Sequence, residues 1–238
     1  MKNISRRNFL VTSLGVTAGA LPLSGYANTN EQSIEYEGGL VTGQLKPLRY
    51  KSIPSFLSEE QITPHHTAHY GGALRGYVAA DMKLQSDINE GTAIDSSAYG
   101  AIQRARTNKA NSVVLHELYF DGMTAKASNP NKEIHAEIKK RFGSIEKWAA
   151  DFQASAKSAS GWAMLAFHPL NGKLYNVVSD KHATGVLWMA TPLVVIDVYE
   201  HAFYVDYKNN KELYIKKFMR HIDWEEVNRR YKGIIKAR

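Results

Sequence analysis

Asp197 and His201 stand four residues apart where the apolar run Val194-Val195-Ile196 ends. A carboxylate and an imidazole at a strand end are a hard-to-borderline donor pair suited to Mn, Fe or Zn. Two more imidazoles lie in helical settings. His116 sits in Val113-Val114-Leu115-His116-Glu117-Leu118, and His69 precedes Tyr77 by eight residues on roughly the same helix side. One His from each of two helices, joined to Asp197 and His201, makes a four-ligand metal site between two halves of the chain. Spacing alone leaves open the alternative that each is an isolated histidine, satisfied by its neighbours or exposed. His66, His135, His168 and His221 are expected to be ordinary histidines, and His65 a solvated residue at a helix start or one lining an entrance. The chain has no cysteine, which excludes thiolate metal sites, disulfides and Cys nucleophiles together.

The elements that must position these side chains follow from pattern. Ser58-Glu59-Glu60-Gln61 has capping-box spacing, Thr63-Pro64 offers a second helix start, and a helical pattern runs to about Leu84. A second helix covers roughly 105–120, and the two are expected to form a helical hairpin. After Asn129-Pro130-Asn131, residues 134–142 and 144–157 read as two more helices. Strands are expected at 162–167 and 174–178, flanking the turn signal Asn171-Gly172, and at 192–198. Helical pattern returns from about Lys211. Helices followed by a small antiparallel sheet with helices around it is an α+β plan. Expected regions are residues 28–127, a helical hairpin domain opened by a polar, irregular stretch to about residue 50, and 128–238, a metal-binding domain with a three-stranded antiparallel sheet.

The chain has 238 residues, 44% of them hydrophobic and 22% charged, so a folded core is expected and disorder, collagen and coiled coil are excluded. The net charge is +7, but Lys2, Arg6 and Arg7 fall in an acid-free N-terminus, and the remainder carries 27 basic against 23 acidic residues. A net of +4 is no argument for nucleic acid and suits a small anionic substrate. Ser5-Arg6-Arg7-Asn8-Phe9-Leu10, a modestly apolar stretch to Leu23 and the small residues Gly25 and Ala27 read as a twin-arginine export signal at residues 1–27, cut after Ala27. The expectation is therefore a periplasmic or otherwise exported protein, carried folded by the twin-arginine translocase. The stretch is too polar and too short for a stable membrane anchor.

Taken together, these segments resemble the iron/manganese superoxide dismutase family from about Leu45 to Tyr231. Asp197-Val198-Tyr199-Glu200-His201-Ala202-Phe203-Tyr204 resembles the family's D-x-W-E-H-A-Y-Y pattern, Ser160-Gly161-Trp162 its glycine-tryptophan strand, Tyr207-Lys208-Asn209 its Y-x-N segment and Trp224-Glu225-Glu226-Val227 its closing helix. His69 with Tyr77 resembles the first ligand and gateway tyrosine, and His116 the second ligand. The resemblance implies one Fe or Mn ion per subunit, held by His69, His116, Asp197 and His201 with water or hydroxide as fifth ligand, and superoxide as substrate. It also implies a homodimer in which Glu200 reaches the partner's ligand histidine and Tyr204 stands at the interface.

Several positions depart from the family pattern. The helical place for a solvent-bonding Gln holds Ser112, and its counterpart in the loop before the third strand is His182, which is expected to take that role. Ala73 stands four residues after His69, where the family commonly has a His paired with the interface tyrosine, which implies a looser dimer. Leu115, Met164 and Tyr199 replace an Asn and two Trp residues of the pocket wall. A metal-holding protein with weak or lost dismutase activity is the alternative these departures motivate.

Overall fold

In the computed structural model, residues 37–91 and 95–236 are described, and those from 37 onward belong to one compact unit. The expected export signal, residues 1–27, lies outside the described residues. Among those described, no helix is long and apolar enough to cross a membrane.

The stretch to residue 50 is irregular apart from one short turn, α1 (Gly39–Thr42), which ends at Gly43 with φ +70°. This segment is tied to the helices by a buried carboxylate. Glu117 accepts from Gly39 N (2.7 Å) and from the Tyr70 hydroxyl (2.6 Å), which itself accepts from Lys46 N.

Helix α2 (Glu59–Pro64) starts where the capping box predicts, with Ser58 Oγ accepting from Gln61 N. Thr63-Pro64 does not open a second helix. The run passes through Pro64 into a π-helical segment, His65–Tyr70, and then α3 (Gly71–Glu90). Pro64 has no N–H to give the ladder, and the wider turn follows it directly. Helix α4 (Ser96–Asp121), capped by Asp95, returns along α3 to complete the hairpin. It begins nine residues before the predicted start, because its first turns are largely exposed and carry no apolar periodicity.

Helices α5 (Lys132–Phe142) and α6 (Ile145–Ser158) are capped by Asn131 and Ser144. They lead into β1 (Trp162–His168), β2 (Lys173–Ser179) and β3 (Thr191–Asp197). The sheet is antiparallel in the order β2-β1-β3, with Trp162 opposite Asp197 and Met164 opposite Val195. The central strand β1 is buried over six consecutive residues, because α6 covers one of its flanks and α4 packs on neighbouring β3. Beyond β3 come a 3₁₀ turn (Glu200–Ala202), α7 (Tyr204–Tyr207), α8 (Lys211–Phe218) and α9 (Trp224–Lys236). The helical pattern expected from about Lys211 is interrupted at residues 219–223. There Asp223 Oδ1 accepts from Glu225 N and Glu226 N and so starts a new helix.

Candidate metal centre

Four elements deliver four donors to one point. His65 opens the π-helical segment, His116 lies near the end of α4, Asp197 is the last residue of β3, and His201 sits in the 3₁₀ turn that follows. One donor atom from each lies within 4.8 Å of all the others. Asp197 Oδ2 is the hub, 3.1 Å from His65 Nε2, 3.3 Å from His201 Nε2 and 3.8 Å from His116 Nε2. Donors bound at roughly 2.0–2.2 Å to one ion stand roughly 3–4 Å apart, so the group has the dimensions of a coordination shell.

The bonding around these donors points the same way. His116 Nε2 and His201 Nε2 are buried and make no hydrogen bond. Two such orphans side by side would be costly without a partner that accepts lone pairs. His116 Nδ1 faces the Ser112 carbonyl at 2.7 Å. A carbonyl can only accept, so Nδ1 carries the proton and Nε2 presents its lone pair to the centre. The second Asp197 oxygen, Oδ1, is occupied by Tyr199 N, and Tyr214 donates to the Asp197 carbonyl at 2.7 Å. Oδ2 is thereby left for the site.

Charge states follow from burial. Burial, reinforced by the neighbouring His65, pushes the His116 imidazole down to about 3, and burial also lowers His65. Burial would raise the Asp197 carboxyl, but the imidazoles of His201 and His65 close against it outweigh burial and hold the group well below the usual carboxylate range. Neutral imidazoles around an ionised carboxylate are the form that binds a metal. The residues present therefore fit one Fe or Mn ion.

The expected ligand set needs one correction. His116, Asp197 and His201 come together, but the fourth member is His65 and not His69. His65 is 2% exposed, which also overturns its expected solvated position. The two histidines are one turn apart on the same helix side, so sequence period cannot distinguish them; height along the axis, about 5.4 Å per turn, decides. His69 stands at the edge and stacks on His201. Counted from His65, the position eight residues on is Ala73, buried at 3%, while Tyr77 is half-buried and has no hydrogen bond or ring contact with the four residues. The position four residues on is His69, so Ala73 is no reason to expect a loose dimer.

His182 lies beside the centre, its ring centroid 6.3 Å from that of His116 and 5.5 Å from that of Tyr199. Its Nδ1 accepts from Trp162 Nε1 at 3.0 Å, and its carbonyl accepts from Asn111. Tyr199 lies along His201, 14° from parallel. Leu115 and Met164 are buried neighbours. Glu200 and Tyr204 are exposed beside His201, whose side chain is itself 23% exposed.

A supporting residue that sequence reasoning did not single out is Gln61. Its Nε2 donates to the His201 carbonyl at 2.6 Å while its Oε1 accepts from Val205 N, so α2 holds the ligand-bearing turn. Its capping-box position announced a helix start and gave no sign of this second task.

The comparisons with known proteins agree with this geometry. Residues 130–230 match the family model for the C-terminal domain of iron/manganese superoxide dismutases. The chain is 33% identical over 190 residues to superoxide dismutase [Mn] 2 of Haloferax volcanii, covering 79% of this chain and 94% of that protein. It is 35% identical over 201 residues to superoxide dismutase [Fe] of Aquifex pyrophilus, covering 81% and 91%. Superoxide dismutase [Fe] of Cupriavidus metallidurans is 32% identical over 197 residues, covering 81% and 98%. With four donors converging at the junction of a helical hairpin and a three-stranded sheet, and with this likeness extending over four-fifths of its length, the chain belongs to the iron/manganese superoxide dismutase family.

Proposed function

We propose that the protein disproportionates superoxide to dioxygen and hydrogen peroxide at one Fe or Mn ion held by His65, His116, Asp197 and His201. The observation that carries this reading is the convergence of four donors on one point, with two imidazole nitrogens left without hydrogen bonds. What the ion supplies when bound is a one-electron couple. Everything else falls to the chain. Three neutral imidazoles and one carboxylate leave a divalent ion with a net positive charge, attractive to an anion. Trp162 Nε1 can only donate, so His182 Nδ1 is bare and neutral His182 keeps its proton at Nε2. His182 is thus a proton donor beside the centre, suited to bond a solvent ligand. Tyr199 and His69 cover His201 on its ring faces.

Two further parts of the reading concern assembly and location. A homodimer is supported by the exposed Glu200, whose carboxylate has no hydrogen bond or ion pair among the described residues, and by the adjoining exposed Tyr204 and Val205. Glu200 would bond the outer edge of the partner's His201, an isologous, charge-assisted pair. Export by the twin-arginine translocase to the periplasm is supported by Arg6-Arg7 and the small residues before Asn28.

A second reading, a metal-holding protein with slow turnover, is favoured by Ala73 standing eight residues after His65, where the family pattern has its gateway tyrosine. Elemental analysis together with superoxide consumption per bound metal separates the two. A loaded protein that consumes no superoxide removes the first.

A further inference from the structure

Between α4, the sheet and the 182–190 loop lies a cavity of about 190 Å³. Leu115 of α4, Met164 and Ala166 of β1, Val177 of β2 and Val186 of the loop form an apolar lining. Leu115, Met164 and Ala166 are buried, whereas Val186 is 47% exposed, so the cavity runs from the core to the surface. The polar side chains that touch it are few and are engaged at these atoms, with His182 Nε2–H left for the solvent ligand. Asn111 Nδ2 donates to the His182 carbonyl, Ser179 Oγ is directed at the carbonyls of Lys181 and Thr184, and His182 Nδ1 accepts from Trp162. An ordered water needs two to four polar partners, and an apolar cavity of roughly 150 Å³ stays dry and takes up benzene or xenon. This cavity offers an apolar volume of that order and opens to the surface beside Val186.

The cavity shares walls with the metal centre. Leu115 immediately precedes His116, and His182 borders both. We propose that the cavity binds a small uncharged apolar molecule, and that this molecule is dioxygen leaving the centre. The identity of the gas rests on the dismutase reading. Dismutation turns two superoxide anions and two protons into one dioxygen and one hydrogen peroxide. Of these species only dioxygen is both uncharged and apolar. An apolar lining excludes the anion, which would lose its hydration, and disfavours peroxide, which would lose hydrogen bonds to water. The anion and the gas therefore need not share a path.

Xenon is the probe. Crystals of the metal-loaded protein held under xenon pressure should show a xenon peak among Leu115, Met164 and Val177, and dioxygen pressure on the same crystals should fill the same volume. Met164→Trp places an indole in the space and should lower the peak to background. Ala166→Leu, a smaller change on the same strand, repeats the test if the indole is not tolerated. A cavity filled by ordered water, or one that takes no xenon while superoxide is consumed normally, overturns the proposal and leaves the dismutase reading standing. Xenon uptake by a loaded protein that consumes no superoxide overturns dioxygen as the occupant together with that reading.

Discussion

The imidazoles of His69 and His201 lie face to face, their ring centroids 3.8 Å apart and 11° from parallel. His69 is exposed, so it shields a ligand ring whose Nε2 points inward to Asp197. His65, one turn earlier, supplies a donor atom in its place. Replacing the two histidines separately therefore has opposite consequences. His65→Ala should abolish metal binding, with elemental analysis falling from about one ion per chain toward none, because a buried donor is lost from a four-residue set. His69→Ala should keep the ion. Metal retained in His65→Ala and lost in His69→Ala would restore the register expected from spacing.

Asp197 is the only anionic donor of the set, and Asp197→Ala should release the ion. The metal-free protein should also lose stability on acidification. His65 and His116 have folded values below the ordinary imidazole value of 6.5, so the unfolded chain binds more protons as pH falls. Their contribution is complete above about pH 6.5 and declines through the folded value, about 3 for His116, by up to about 1.4 kcal/mol per pH unit for each imidazole. Asp197 acts in the same direction below its ordinary value of 3.8. Denaturant titrations from pH 7 to 4 measure the slope, and His116→Gln should flatten it.

His182 should tune the centre and not hold the ion. His182→Ala should retain metal and lose about 10–100-fold in activity, with a changed visible spectrum. Trp162→Phe keeps an aromatic ring at the position and removes the N–H, freeing His182 to shift its proton to Nδ1. Nitrogen-15 NMR of the metal-free protein reads that tautomer directly. An unchanged Nε2–H form in Trp162→Phe would show that the indole does not set it.

Glu200→Ala should weaken dimerisation and metal retention together, since each His201 would lose the bond that orients its outer edge. Sedimentation at micromolar concentration tests both the parent protein and the variant. A fully active, metal-loaded parent monomer would exclude the interface.

Gly185 adopts φ +84°, and a Cβ there would press on the Val178 carbonyl. Gly185→Ala should cost about 1–3 kcal/mol and disturb the loop bearing His182. Thermal unfolding with metal content measures both effects, and an unchanged melting temperature would show that the loop relaxes freely.

The amino-acid sequence by itself determined much of this protein. The D-x-x-E-H run, the turn at Asn171-Gly172, the capping box at Ser58 and the boundary at Asn129-Pro130-Asn131 are local signals, readable because neighbouring residues create them. They place Asp197 and His201 at a strand end, His116 on a helix and a three-stranded sheet after the hairpin. Only the tertiary structure decided which of His65 and His69 stands level with Asp197. Both satisfy the same helical period, and the choice depends on how far the α2–α3 run slides along α4 and β3, which is set by packing, by Glu117 bonding Tyr70 and by Gln61 bonding the His201 turn. The break at 219–223 and the cavity beside His182 were hidden for the same reason. Each arises where separate elements meet, and no local pattern records a meeting between residues so far apart in the chain.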